Sequence, residues 1–122
     1  MARSTDEQFL HDWVIRKVHE KYSRQYSKVH INPGEEKNYE FGGAYPDVIF
    51  ENYEQIVLVV EVETKETINE KRAEKWKKLS ELGAKLHLLV PQNMQKAARD
   101  ICWKSGLVAK VNIGSFDVNL NI

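Results

Sequence analysis

Two glutamates stand two residues apart at the end of the most apolar run in the chain, Gln55-Ile56-Val57-Leu58-Val59-Val60-Glu61-Val62-Glu63. Side chains alternate across a strand, so a strand here points Glu61 and Glu63 to one face. Carboxylates crowded on a buried strand repel, and each raises the other's pKa. A purely structural design avoids unpaired buried charge because it is expensive. A divalent cation is a simple remedy, since magnesium takes carboxylate oxygens together with waters and substrate phosphates. A third acid, Asp47, follows Pro46 in the preceding apolar run, Tyr45 to Phe50. Pairing of the two runs as a hairpin brings Asp47 opposite Glu61 and completes an acidic cluster. The bland alternative is a Glu-x-Glu pair fraying into solvent at a strand end.

The elements that must hold these acids are legible from periodicity. Ser4 or Thr5 can cap a helix, and Asp6 and Glu7 suit its positive end. Phe9, Leu10, Trp13, Val14, Val18 and Tyr22 recur at helical spacing, which predicts a helix over Thr5 to Gln25. Ser27 to Ile31 reads as a short strand, followed by a turn at Asn32-Pro33-Gly34. Gly42-Gly43 sits in a polar stretch and can take backbone angles that other residues resist. The turn Glu51 to Glu54 joins the two apolar strands as an antiparallel hairpin. Ile56 to Val60 is apolar on both faces, so its strand belongs at the centre of the sheet. Thr67 caps a second helix over Ile68 to Leu82, which Gly83 ends. A strand over Ala84 to Val90, a helix over Gln92 to Ser105 and a strand over Val108 to Ile113 follow. Phe116 to Ile122 is read as an edge strand able to pair with another chain. The expectation is one α/β domain over residues 1–122, of order α-β-β-β-α-β-α-β, with a mixed sheet that is parallel in its second half.

The second helix supplies the cations. Ile68, Trp76 and Leu79 mark its buried stripe, with Arg72 in the middle of it and Lys75 at its edge. An arginine inside an apolar stripe needs a partner, and the carboxylates of the sheet are the nearest. Lys71, Lys75 and Lys78 share one face, which is either a basic patch or an ordinary solvated surface. His11, His19, His30 and His87 lack ligand spacing, although His11 lies one helical turn from Glu7 and can sit by the acids.

Composition narrows the function classes. Eighteen Lys and Arg balance eighteen Asp and Glu, so no global basic field announces nucleic-acid binding. Cys102 is the single cysteine, which excludes an internal disulfide and a cysteine metal site and suits a reducing cytoplasm. Its apolar neighbours make it a buried inert thiol. The polar N-terminus has no signal core, and no run reaches membrane-span length, so the protein is expected to be soluble and cytoplasmic. No serine or cysteine nucleophile is framed by a base, and no phosphate-binding glycine loop is present.

Pro46-Asp47, a hairpin, Glu61-Val62-Glu63 and then a helix together resemble the PD-(D/E)xK superfamily of metal-dependent nucleases, from the first helix through the strand at Ala84 to Val90. The resemblance implies a restriction-endonuclease-like fold, Mg²⁺ or Mn²⁺ on Asp47, Glu61 and Glu63, and hydrolysis of DNA. It departs at one point: Glu63 stands where the family has lysine. Some relatives supply that cation from the following helix, where Arg72 and Lys75 lie, with Lys65 just ahead of it. Lys75 is the first choice for the catalytic lysine, and Lys65, Lys71, Arg72 and Lys78 are the expected nucleic-acid contacts. The family's first helix often adds an acid near the metal, for which Glu7, Asp12 and Glu20 are candidates; Glu7 is the best by position and stands as an additional candidate beside His11. Cutting a duplex needs two sites, so a homodimer is expected. The alternative is a degenerate member that lost its lysine and serves as a nucleic-acid-binding or assembly module.

Overall fold

A computed structural model describes residues 3–118. The order is α1 (Thr5–Tyr22), β1 (Lys28–Ile31), β2 (Val48–Asn52), β3 (Gln55–Val62), α2 (Arg72–Ser80), β4 (Lys85–Pro91), α3 (Gln95–Lys104) and β5 (Val111–Phe116). The strands form one five-stranded mixed sheet in the order β1-β2-β3-β4-β5. β1, β2 and β3 are antiparallel neighbours, while β3, β4 and β5 run parallel. The predicted element order and the central place of β3 both stand.

α1 starts at Ser4, whose hydroxyl accepts from the Glu7 amide. Its buried side is His11, Val14 and Ile15, of which Val14 and Ile15 pack with Val48, Phe50, Val60 and Val62. Phe9 and Trp13 point largely outward, so the helix is rotated from the phase that its aromatics suggest. On the other side of the sheet, Ile49, Val59, Leu86, Leu88 and Val90 pack against Trp76 and Leu79 of α2 and Ala98, Ile101 and Cys102 of α3. Burial pushes the Cys102 thiol above its ordinary pKa, which keeps it protonated and inert.

The hairpin between β2 and β3 turns on Tyr53 and Glu54, both with positive φ, which matches strand twist in a two-residue loop. A long loop joins β1 to β2, and a single buried side chain organises it. Asn32 Nδ2 donates to the carbonyls of Tyr39 and Pro46, and its Oδ1 accepts from the amides of Asn38 and Tyr39. The expected turn at Asn32 is therefore the anchor of a whole loop. Gly42 and Gly43 do take positive φ, at the tip of a small bridge between Phe41 and Ala44.

α1 ends at Tyr22 rather than Gln25, and α3 starts at Gln95 behind a 3-10 turn over Gln92–Met94; two other boundaries shift for identifiable reasons. α2 begins at Arg72 rather than Ile68, because Ile68 is extended and buried, and a 3-10 turn covers Lys65–Thr67. Thr67 does not cap α2, since its hydroxyl donates to Glu63. Asn69 Oδ1 accepts from the Arg72 amide instead. β5 begins at Val111 rather than Val108, because Leu107 is buried while Val108 is exposed in a turn. The expected edge strand over Phe116 to Ile122 is not a strand at residues 117 and 118, and its remainder lies outside the described residues.

Candidate functional site

Pro46 ends the β1–β2 loop, and Asp47 directly precedes β2. Val48 pairs with Val60, which sets Asp47 opposite Glu61. The two residues are tied crosswise: Glu61 Oε1 accepts from the Asp47 amide at 3.0 Å, and Asp47 Oδ2 accepts from the Val62 amide at 2.8 Å. The predicted hairpin therefore does bring these two acids together.

Glu63 lies one residue beyond β3, yet its amide still bonds the Leu89 carbonyl, so it keeps the strand's alternation. Glu61 and Glu63 accordingly turn to the same side, toward α2. They meet different partners there. Glu63 is fully buried, and four donors share its carboxylate. Oε1 accepts from Thr67 Oγ1 at 2.8 Å and Arg3 at 3.3 Å, and Oε2 accepts from Trp76 Nε1 at 2.6 Å and Arg72 Nε at 3.0 Å. Arg72 and Trp76 are one helical turn apart on α2, so they close on the carboxylate from one face. Arg72 in the apolar stripe has the carboxylate partner that its position demanded. Burial works against its charge, but the Glu63 hydrogen bond and charge outweigh that and raise its pKa.

Glu61 is equally buried but less satisfied. Its Oε2 has no hydrogen-bond partner of good geometry among the described residues. The Lys75 ammonium is an ion-pair neighbour at 3.1 Å, and the lysine side chain is 47 % exposed. Burial, then the Asp47 charge, lifts the Glu61 carboxyl from 4.5 to about 7, against the pull of Lys75. The expected crowding of acids is thus real at Glu61.

His11 completes the site from α1. Its Nε2 lies 3.0 Å from Asp47 Oδ2 and its Nδ1 2.9 Å from Asp12 Oδ1. A ring with a carboxylate at each nitrogen is held best as the doubly protonated imidazolium. Burial opposes that charge, but the Asp47 hydrogen bond and charge prevail and raise its pKa. Asp12 also accepts from the Gly34 amide at 2.8 Å, which fastens the β1–β2 loop to this end of the sheet.

The sequence-predicted residues separate accordingly. Asp47, Glu61, Lys75 and His11 are joined by direct contacts, while Glu63 and Arg72 form a separate pair beside them. Glu7 is spent elsewhere, accepting from the Glu66 amide at 3.2 Å. Lys65, Lys71 and Lys78 are exposed, and Lys71 borders a cleft of about 260 Å³ with Arg72 and Lys75. A second open cleft, about 180 Å³, is lined by His11, Asp47, Arg72, Lys75, Lys37 and Tyr45. Sequence reasoning missed Arg3, which reaches Glu63 and Thr64, and the Trp76 bond to Glu63, and it ranked Asp12, which meets His11, behind Glu7. The available signal for His11 was its place in the stripe with Val14, Ile15 and Val18.

Chemically, the cluster offers hard oxygen ligands beside cations that face a cleft. Among the described residues, no three His, Cys, Asp or Glu side chains are grouped to hold a metal ion. Among the described residues, no helix is long and apolar enough to cross a membrane. No family model matches this chain, and neither does any curated protein or solved structure.

Proposed function

We propose that this chain is a metal-dependent nuclease of the restriction-endonuclease-like kind, hydrolysing DNA phosphodiester bonds in the cytoplasm. The observation that carries the reading is Glu61 Oε2, a buried carboxylate oxygen with no hydrogen bond of good geometry beyond its ion pair with Lys75, beside Asp47, which lines an open cleft. A divalent cation suits this donor set. Mg²⁺ or Mn²⁺ would rest on Glu61 and Asp47, with waters and phosphate oxygens as further ligands, because magnesium binds through one or two carboxylates plus substrate phosphates. When bound, the ion polarises the phosphate and lowers the pKa of a coordinated water.

The chain's own residues supply the rest. His11 and the Val62 amide fix Asp47. Arg72 and Trp76 hold Glu63, so Glu63 braces α2 against the sheet in addition to any ligand role. Lys75 is the group placed to steady negative charge at the attacked phosphate. Lys65, Lys71 and Lys78 offer exposed charge for the nucleic-acid backbone, with Arg72 set deeper between them and the acids. One chain carries one such cluster, so cutting both strands of a duplex calls for a homodimer.

A second reading has its own support. Every Glu63 oxygen is already occupied by donors, which fits a nuclease fold turned into a binding or assembly module. Incubation of the protein with supercoiled plasmid and MnCl₂ or MgCl₂ separates the two. The nuclease reading expects metal-dependent nicking that EDTA stops and Asp47→Asn abolishes. Plasmid that is bound but never nicked overturns it in favour of the binding module.

A further inference from the structure

Lys75 holds the oxygen of Glu61 that a metal ion would take. The Lys75 ammonium sits 3.1 Å from Glu61 Oε2, the one buried side-chain oxygen in the described residues that lacks a hydrogen bond. The other oxygen of Glu61 is pinned by the Asp47 amide, so the carboxylate cannot turn away to serve both cations. Arg72 differs, because its guanidinium and the Trp76 indole are bonded to a fully buried carboxylate that depends on them. Lys75 is the mobile member of the pair. Its side chain is half exposed on the outer edge of α2, and a lysine stem has four rotatable carbons. It also borders both clefts that flank the acids.

We propose that Lys75 is a resident counter-ion that a divalent metal displaces, and that displacement delivers its ammonium to the substrate phosphate in the adjoining cleft. The proposal rests on the metal-site reading above. Without metal, Arg3 and Arg72 pair with Glu63, His11 with Asp47 and Lys75 with Glu61, so Lys75 is the cation that stands at Glu61 when no ion is in place. A divalent ion brings twice the charge of an ammonium to Glu61 and repels Lys75 at contact distance. The freed lysine keeps its charge and lies within a side chain's reach of any phosphate held against Asp47. Metal loading and deployment of the cation thus become a single event, and the cationic arm is withheld from nucleic acid until the ion is present.

Binding of MnCl₂ alone, measured by calorimetry without nucleic acid, tests this. Lys75→Met keeps the stem and removes the competitor, so it should bind Mn²⁺ about tenfold more tightly than the parent, worth about 1.4 kcal/mol. Lys75→Arg keeps a competing cation and should bind no more tightly than the parent. Lys71→Met removes an equal charge one turn away and should change affinity less than about twofold, the level expected of a screened surface charge. The Lys75 side-chain NMR signal should shift to that of a hydrated lysine on addition of Mg²⁺. Unchanged or weaker Mn²⁺ binding by Lys75→Met overturns the exchange, as does equal tightening by Lys71→Met. An absence of Mn²⁺ binding in every variant is a distinct result that removes the metal-site reading itself.

Discussion

Replacing Glu61 by glutamine removes a carboxyl whose ionisation the fold opposes. Burial and the Asp47 charge lift this group from 4.5 to about 7. At about 1.4 kcal/mol for each pKa unit, the ionised form is disfavoured by about 3 kcal/mol. The folded protein then binds the Glu61 proton more tightly than the unfolded chain does. Below pH 4.5 both states hold it and the effect vanishes. As pH rises from 4.5 to 7 the penalty grows, and above 7 it is fully present. Glutamine imitates the protonated acid, and its Oε1 can still accept from the Asp47 amide. Its amide group faces Lys75, which is exposed enough to move aside. In EDTA, Glu61→Gln should therefore lie within about 1 kcal/mol of the parent at pH 5 and gain on it by about a further 1–3 kcal/mol by pH 8. His11 has the same sign. Its raised pKa adds stability that is present below 6.5 and lost as pH rises through the folded value, so part of the slope survives in the variant. Urea unfolding of both proteins at pH 5, 6, 7 and 8 measures the difference. A difference that does not grow with pH, or a variant weaker than the parent at pH 8, refutes the reasoning.

Two further substitutions probe the supports of the site. Arg72→Ala strips one of two guanidinium partners from the buried Glu63, and should cost about 2–4 kcal/mol in urea unfolding while Arg3, Thr67 and Trp76 keep the carboxylate partly satisfied. A loss under about 0.5 kcal/mol, the range of ordinary surface changes, would show the pair to be superficial. Asn32→Ala deletes four hydrogen bonds that gather the β1–β2 loop, and should cost about 2–4 kcal/mol and open residues 34–45 to limited proteolysis. A loop as resistant as the parent's would mean that the main chain holds it unaided.

The parts of the fold that were legible are those written in local pattern. β3 is a run of branched apolar residues, and its hairpin with β2 carried the placement of Asp47 against Glu61. The Ile68, Trp76 and Leu79 stripe placed Arg72 and Lys75 correctly against the sheet. What escaped depended on side chains choosing among partners. Thr67 looked like a cap for α2, but a buried carboxylate four residues upstream claimed its hydroxyl. Trp76 was read as core, and it is, yet its indole N–H also bonds Glu63. Glu7 outranked His11 as a site residue because acids bind metals. Position along the helix decided otherwise, since His11 is one turn further in and reaches Asp47, while Glu7 in the first turn accepts from the Glu66 amide. Arg3 could not be found by spacing, because it acts sixty residues away in sequence.

The crosswise tie between Asp47 and Glu61 also bears on how quickly the chain folds. The two acids are fourteen residues apart in sequence, joined by a hairpin with a two-residue turn. Closing so short a loop costs little entropy, whereas β4 and β5 must wait for helices to cross over before they can pair in parallel. Like charges are therefore brought together in the segment that assembles most readily. Their repulsion burdens the folding barrier more than the unfolding barrier, because changes in an early-formed region act chiefly on the folding rate. The catalytic arrangement proposed for this chain is in that sense a brake on its own assembly, set in the first pair of strands to meet.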